Sequence, residues 1–200
     1  MLQRVKFLKI EVVFLFFLTL ISVPLYSQYE EPVMNDKEIK ALEKEKRIAE
    51  KKQAEEAQKQ LVNYLLENKR FVLEADYLSG NSGSRVPVNS TINFIIVDSA
   101  RAVIQLGNGY GMGYNGLGGI TVDGKISRYD LSKKEGKRGV SYSLTIYIMS
   151  SLGQYDIHFW ISQSGSADAT ISGNSYGRLT YSGDIVPIQK NRNYKGSSYP

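Results

Sequence analysis

The sequence predicts a mainly β fold, an antiparallel sandwich or a barrel-like bent sheet of about eight or nine strands, preceded by a long charged α-helix. Three observations support this prediction. The hydrophobic period changes from that of a helix to strict alternation near residue 70, and short turn signals separate the alternating segments. The 200 residues are 42% hydrophobic, which is enough for one domain with a core, and they include 14 tyrosines, a residue type enriched in strands.

Residues 1–27 have the plan of a secretory signal peptide. Three basic residues precede an apolar run from Val12 to Val23, and the small residue Ser27 marks the expected cleavage point. The run is shorter than the ~20 residues of a membrane-spanning helix, although an uncleaved anchor is the alternative. The chain has no cysteine to carry a lipid. We therefore expect export to the periplasm or the cell exterior, and a chain that is not an integral membrane protein after cleavage.

After a short linker at 28–35, residues 36–69 are predicted to form a charged helix. No Gly or Pro occurs from Asp36 to Asn68, and residue types with high helix propensity dominate this segment. Either Asn35 or Asp36 can cap the start of the helix through its side-chain oxygen.

The helix has only a broken heptad pattern. Ile39, Leu42 and Ala49 follow coiled-coil spacing, but the same seam continues through charged and amide side chains such as Lys46 and Gln53. We therefore expect a solvated arm, with a coiled coil that mediates self-association as the alternative. Separately, the last turns of the helix are suited to dock on the following domain through a stripe formed by Leu61, Tyr64, Leu65 and Asn68.

Residues 70–188 are predicted to form a β-rich domain, and residues 189–200 a polar tail. Two hairpins are expected early in this domain, one through Asp98-Ser99-Ala100 and one through Asp123-Gly124, a favoured two-residue turn. In the later strands, every second residue is apolar. The predicted strands are Phe71–Tyr77, Ile92–Val97, Arg101–Leu106, Ile120–Val122, Lys125–Leu131, Val140–Met149, Tyr155–Ile161, Ala167–Ile171 and Arg178–Ile185.

The Gly-rich segment from Gly107 to Gly119 is the most unusual part of the sequence. Residues 111–116 satisfy the G-x-G-x-x-G pattern, but a strand follows where a nucleotide-binding loop requires a helix, so we reject a nucleotide site and expect no cofactor. The segment is either a structural connection or a binding loop. In the second case Tyr110 and Tyr114 would offer aromatic faces to a ligand, with Asn115 beside them.

Catalytic and metal-binding residues are scarce in this sequence. The absence of cysteine and the single histidine, His158, exclude thiol chemistry and any metal centre that needs two imidazoles. No serine nucleophile is marked, so His158 and Trp160 are assigned to ligand binding rather than to catalysis. The net charge of +5 is not concentrated on one element, so no nucleic-acid partner is expected.

Several short segments resemble an uncharacterised family of exported proteins from Bacteroidetes-type bacteria. They are N-F-I at 93–95, A-V-I-Q at 102–105, N-G-L-G-G-I-T at 115–121, G-K-I at 124–126, S-G-S-A at 164–167 and G-D-I-V-P at 183–187. The resemblance covers about residues 60–190. It implies export and a compact β-rich domain of unknown function, and it implies no reaction.

These observations favour a non-catalytic exported protein that binds an unidentified ligand or a partner in the cell envelope, or that has a structural role. Two alternatives stay open. The acidic residues of the domain would permit a carboxylate-based hydrolase that acts on glycan or cell wall, although sequence alone does not place two of them together. A barrel with an incompletely filled interior would instead carry an apolar ligand.

Overall fold

A computed structural model describes residues 35–81, 83–108, 118–137, 139–173, 177–190, 193 and 195 of the chain. One α-helix, α1, spans Asp36–Glu67, and nine strands and a 3₁₀ turn at Ile188–Lys190 follow in the described part of the chain. The strands are β1 Arg70–Ser79, β2 Arg85–Pro87, β3 Phe94–Asp98, β4 Arg101–Leu106, β5 Ile120–Gly136, β6 Gly139–Ser150, β7 Gly153–Ser162, β8 Ser166–Gly173 and β9 Gly177–Pro187.

Eight of these strands form a closed antiparallel barrel, and β2 is an additional strand. Strands β3 to β8 each pair with the next strand in the chain, and β9 returns to pair with β1 from Phe71 to Ser79. The other edge of β1 is shared, because β3 pairs with its first half and β2 with its last three residues. The predicted fold class is confirmed, and the closure between β1 and β9 makes it a barrel rather than a sandwich.

The barrel interior is built from the apolar residues that alternate along each strand. On β6, for example, Tyr142, Leu144 and Ile146 are buried while the residues between them are half-buried on the outer face. Phe71 and Phe159 meet edge to face inside the barrel, with ring centroids 5.8 Å apart. Alternation along the later strands is confirmed, because a barrel wall has one dry face and one solvated face.

Helix α1 begins with a reciprocal cap, as predicted for Asn35. The side chain of Glu38 accepts a hydrogen bond from the Asn35 backbone N–H at 3.2 Å, and the Asn35 side chain accepts one from the Lys37 backbone N–H at 3.5 Å. The chain divides by its internal contacts into Met1–Lys46 and Arg47–Pro200, so the first turns of α1 belong to a separate unit.

The last turns of α1 close one end of the barrel. Val62, Leu65 and Leu66 are buried in the same apolar cluster as the barrel interior. The Tyr129 hydroxyl donates a hydrogen bond of 2.6 Å to the Leu66 carbonyl, and the Gln58 side chain donates one of 3.0 Å to the Ser164 carbonyl. We refer to this end of the barrel as the helix end.

The predicted docking stripe is correct at Leu65 and at Leu61, which is partly buried against the core, and it is wrong at Tyr64, whose side chain is 62% exposed. Asn68 is also exposed, and its side-chain amide hydrogen-bonds back to the Tyr64 carbonyl. The buried face is instead formed by Val62, Leu65 and Leu66. The helix is thus rotated about its axis relative to the prediction. This orientation is favoured because the aliphatic side chains of Val62 and Leu66 bury more apolar surface than the phenol of Tyr64 and the amide of Asn68 would.

The predicted hairpin at Asp123-Gly124 is wrong, because β5 runs through both residues without a turn. Gly124 pairs with Ala102 on one side and Ser150 on the other. A Cβ atom at Gly124 would lie 2.5 Å from the Ile148 side chain, so glycine here allows a close approach of strands rather than a turn. The strand also extends to Gly136, five residues beyond the predicted end, and β2 was not predicted.

Two described residues that follow β9, Ile188 and Lys195, contact the outer face of the barrel. Ile188 packs on a small outer cluster formed by Val72, Phe94 and Val103. Farther along, the Lys195 ammonium donates a hydrogen bond of 2.5 Å to Asp123, which also pairs with Arg101. Partial burial acts to raise the pKa of Asp123, but the hydrogen bonds from Lys195 and Arg101 outweigh it and hold that pKa below its ordinary value.

Candidate ligand site at the open end of the barrel

An apolar cavity lies at the end of the barrel opposite α1. Strand β8 runs from one end of the barrel to the other. It starts beside Gly165, which lies against Gln58 and Val62 of α1, and it ends at Gly173, which lines the cavity. Gly80 and Gly177, at the end of β1 and the start of β9, lie at the same rim. We refer to this end as the open end. In the described part of the chain, no helix covers it.

The cavity has a volume of about 380 Å³, within the range of roughly 300–1,000 Å³ that small-molecule sites occupy. Its wall is formed mainly by inward-facing side chains of β4, β5, β7, β8 and β9. They are Ile104, Leu106, Ile120, Val122, Tyr155, Ile171, Leu179 and Tyr181. A closed eight-stranded barrel is wide enough either to be filled by its own side chains or to hold one small ligand. Here α1 and two phenylalanines fill the helix end, and the open end retains the space.

The tyrosines of the wall present apolar rings to the cavity. The Tyr181 side chain is fully buried, and its hydroxyl donates a hydrogen bond of 3.0 Å to the Gln105 carbonyl. Burial raises the pKa of Tyr181, so its phenol stays neutral under physiological conditions. Tyr155 is also buried, and its ring lies against Gly173, where a Cβ atom would come within 2.7 Å of it. The wall therefore favours an uncharged, apolar guest.

The start of the Gly-rich segment is fixed to the barrel rim by Asn93. The buried Asn93 side chain accepts a hydrogen bond of 3.0 Å from the Gly107 backbone N–H and donates one of 2.9 Å to the Gly107 carbonyl. Its amide nitrogen also donates to the Asn89 carbonyl at 3.0 Å. This side chain holds the chain at the point where it leaves β4. Tyr110, Tyr114 and Asn115, which the sequence assigned to ligand binding, lie outside the described residues.

His158 and Trp160, also assigned to ligand binding from the sequence, lie on the outer face of β7 and do not line the cavity. Their rings meet edge to face with centroids 5.0 Å apart, and His158 Nδ1 lies 2.9 Å from the Thr145 hydroxyl. Trp160 is 60% exposed. The structure therefore brings these two residues together but separates them from the interior of the barrel.

The wall residues were not identified as a site from the sequence, although the alternation placed Tyr155 on the apolar face of its strand. The alternation of apolar residues predicts the direction in which a side chain points, but it does not show whether the volume inside the barrel is filled. Whether the interior is filled depends on the diameter of the closed barrel and on where α1 docks.

Two further structural findings concern the described residues. No group of three or more His, Asp or Glu side chains among them could hold a metal ion. Within the same residues, no helix is both long and apolar enough to cross a membrane.

The fold and the cavity define a small closed β-barrel with an open apolar end. Residues 49–185 match the family model described as "Domain of unknown function (DUF4251)", and the chain therefore belongs to the DUF4251 family. This confirms the resemblance to an uncharacterised family that the sequence motifs indicated.

A solved structure of this family supports the same assignment. The chain is similar to a DUF4251 family protein from Bacteroides eggerthii DSM 20697, whose crystal structure is known, with 28% sequence identity and a TM-score of 0.54. The similarity covers 67% of this chain and 90% of that chain. No curated protein matches the sequence.

Proposed function

We propose that this chain is a non-catalytic binding protein whose barrel holds an apolar small molecule, or the apolar part of one, in the cavity at the open end. The single observation that carries this proposal is the 380 Å³ space walled by aliphatic and neutral aromatic side chains. Among the described residues that line it, none carries a carboxylate. This composition favours the carrier alternative over a carboxylate-based hydrolase, which needs two acids beside the bound substrate.

The binding proposal is tested with N-phenyl-1-naphthylamine, an uncharged dye that fluoresces in apolar surroundings. We expect saturable binding of one dye per wild-type chain. Ile171→Trp adds bulk to the cavity wall and should weaken dye binding by about fivefold or more, because a bound guest would have to displace the ring. The dye is excited where tryptophan does not absorb.

The matched control is Ser172→Trp, because Ser172 neighbours Ile171 on β8 but is exposed on the outer face. It should bind the dye as the wild type does. Absence of saturable binding to the wild-type chain, or equal affinity in the Ile171→Trp variant, would contradict the proposal. Far-ultraviolet circular dichroism of both variants establishes that the barrel is intact.

We further propose that the protein acts after export, in the periplasm or outside the cell. The basic residues, the apolar run from Val12 to Val23 and Ser27 support this, because together they match a cleavable signal peptide. Expression of the full chain in a bacterial host, followed by N-terminal sequencing of the exported fraction, should give a protein that begins at Gln28. A chain retained in the cytoplasm with Met1 in place would contradict export.

For α1 we propose a solvated arm rather than a coiled coil. Ile39, Leu42 and Ile48 are each about half exposed, and a charged residue, Lys46, interrupts the heptad seam. Sedimentation equilibrium of the chain from Gln28 onward should therefore give the mass of a monomer over a wide concentration range. A stable dimer that dissociates when Leu42 is changed to Glu would support the coiled-coil alternative instead.

A further inference from the structure

The outer face of β6, β7 and β8 is rich in hydroxyl groups and poor in charge. These three strands contain no lysine, arginine or glutamate. Many of their outward-facing residues are serines or threonines, such as Ser143, Thr145 and Thr170. No long charged side chain of these strands therefore covers the face.

Trp160 lies on this face, at the middle strand. Its side chain is 60% exposed, and the chain has no other tryptophan. A single exposed apolar residue needs no explanation by itself. This indole, however, is supported: the His158 ring meets it edge to face with centroids 5.0 Å apart, and His158 Nδ1 lies 2.9 Å from the Thr145 hydroxyl. The orientation of the indole is thus restricted, while most of its surface is open to solvent.

The two residues directly opposite Trp160 leave the indole uncovered. They are Ser143 on β6 and Asp168 on β8, and both point to the same outer face. Ser143 is too short to cover a ring. Asp168 is held on its other side, because its Oδ1 accepts a hydrogen bond of 2.5 Å from the Ser182 hydroxyl on β9. Its second oxygen makes no hydrogen bond among the described residues, so it can accept one from a ligand.

Beyond Asp168 the outer face continues into a polar depression of about 320 Å³ between β8, β9, β1 and β2. Asp76 and Asp184 also line it, and its one cationic residue is Arg85, whose guanidinium lies 4.3 Å from the centre of the Tyr77 ring. Three carboxylates beside one guanidinium disfavour an anionic ligand. Among the described residues, these carboxylates do not form a group that could hold a metal ion.

We propose that the outer face around Trp160 binds an uncharged oligosaccharide, with one pyranose ring stacked on the indole and its hydroxyl groups donating to Asp168. A pyranose has an apolar face of C–H groups and a rim of hydroxyls, so it fits an open aromatic ring beside a hydrogen-bond acceptor. An ionised carboxylate accepts charge-assisted hydrogen bonds, which are the stronger kind. A single apolar side chain among hydroxyls does not resemble the apolar centre of a protein interface. This site is separate from the cavity at the open end.

Trp160 itself reports on the site, because its emission is the only tryptophan signal of the chain. We expect cellohexaose or maltohexaose to change this emission saturably and to protect the indole from quenching by acrylamide. A heparin hexasaccharide, which is anionic, should do neither. If neither uncharged hexasaccharide changes the emission or the quenching, the inference is wrong.

Calorimetry of the variants locates the bound sugar. In Trp160→Ala, the affinity for the hexasaccharide should fall about tenfold or more, as for loss of a central aromatic contact. Asp168→Asn keeps an acceptor oxygen but loses the charge, so its affinity should fall about threefold or more. The matched control is Tyr147→Ala, because Tyr147 is also an outward-facing aromatic residue but pairs with Asp156 and lies under Arg128. It should bind the sugar as the wild type does.

Unchanged affinity in Trp160→Ala, or an equal loss in Tyr147→Ala, would overturn the inference. A wild-type dimer that Trp160→Ala dissociates, without sugar binding, would instead make this face a contact between two copies of the chain. Saturation with N-phenyl-1-naphthylamine should leave the affinity for the sugar unchanged, so the outer site and the proposed apolar cavity can fail independently.

Discussion

Leu66→Ala tests whether α1 closes the helix end of the barrel. Leu66 is in the last turn of α1, its side chain has no exposed surface, and it belongs to the same apolar cluster as the barrel interior. Truncation to alanine removes three carbon atoms from that cluster. The surrounding strands are held by a closed ring of backbone hydrogen bonds, so they cannot collapse fully into the space that is left.

The expected loss follows from this burial. Leu→Ala at fully buried sites costs about 3–5 kcal/mol, and we expect about 3 kcal/mol here, because the helix lies at the edge of the core and can shift slightly. With a urea dependence of about 2 kcal/mol per M, the unfolding midpoint of Leu66→Ala should fall by about 1.5 M. Circular dichroism near 218 nm, where strands dominate, is the appropriate probe.

Leu42→Ala is the control, because it makes the same chemical change in the same helix at a residue that is 49% exposed. Its urea midpoint should stay within about 0.3 M of wild type, because alanine has a slightly higher helix propensity and little apolar burial is lost. A Leu66→Ala midpoint no lower than that of Leu42→Ala would refute the claim that the last turns of α1 are part of the core.

Three further predictions concern the outer face and the closing strand pair. The lowered pKa of Asp123 stabilises the folded state at any pH above the pKa that this carboxyl has in the unfolded chain, and the stabilisation is lost as pH falls through its folded-state pKa. Between pH ~5 and ~2 the urea midpoint of the wild type should therefore fall more than that of Asp123→Asn. Equal falls would refute the coupling between Asp123 and its two cationic partners. Gly183→Ala should destabilise the barrel by about 1–3 kcal/mol in urea unfolding, because the new Cβ would lie 1.9 Å from the Glu74 carbonyl oxygen between β9 and β1. In the control Gly80→Ala, the new Cβ has nothing within 4 Å, so stability should change by less than about 0.5 kcal/mol. Equal effects of the two substitutions would be inconsistent with a close approach of the strands at Gly183. Trp160→Ala should leave the affinity for N-phenyl-1-naphthylamine within about twofold of wild type, because the indole lies on the outer face; a larger loss would mean that the dye binds elsewhere.

The alternating pattern was enough to predict which residues face the barrel interior. Ile146 on β6 and Ile157 on β7 are fully buried, as expected, and the residues that precede them are half-buried or exposed. Direction is a local property of a strand, because successive side chains must point to opposite faces. The predicted number of strands agrees with the structure only because two errors cancel: two predicted strands are the single strand β5, and β2 was not predicted.

Other features depend on parts of the molecule far away in sequence. The Asp-Gly pair at 123–124 has the local chemistry of a hairpin turn, yet Gly124 lies inside a strand because Ile148 and Met149 approach it too closely for a side chain. The rotation of α1 that buries Leu66 rather than Tyr64 is likewise decided by the barrel end against which the helix packs. Local turn propensity and helical periodicity do not contain this information.

The cavity also depends on residues that are far apart in the sequence. Alternation predicts that Tyr155 points inward, but an inward residue can meet another side chain or an empty space. The difference depends on the circumference set by closure between β1 and β9, and on α1 filling only one end.

The most direct test of the account is nuclear magnetic resonance of the chain with labelled isoleucine methyl groups and bound N-phenyl-1-naphthylamine. Intermolecular Overhauser effects report contacts shorter than about 5 Å between the dye and a methyl group. We predict such effects at Ile104 and Ile171, which line the cavity, and none at Ile161, which is buried near the helix end. Effects at Ile161, or at the outward-facing Ile96 in place of the cavity residues, would contradict a ligand site at the open end of the barrel.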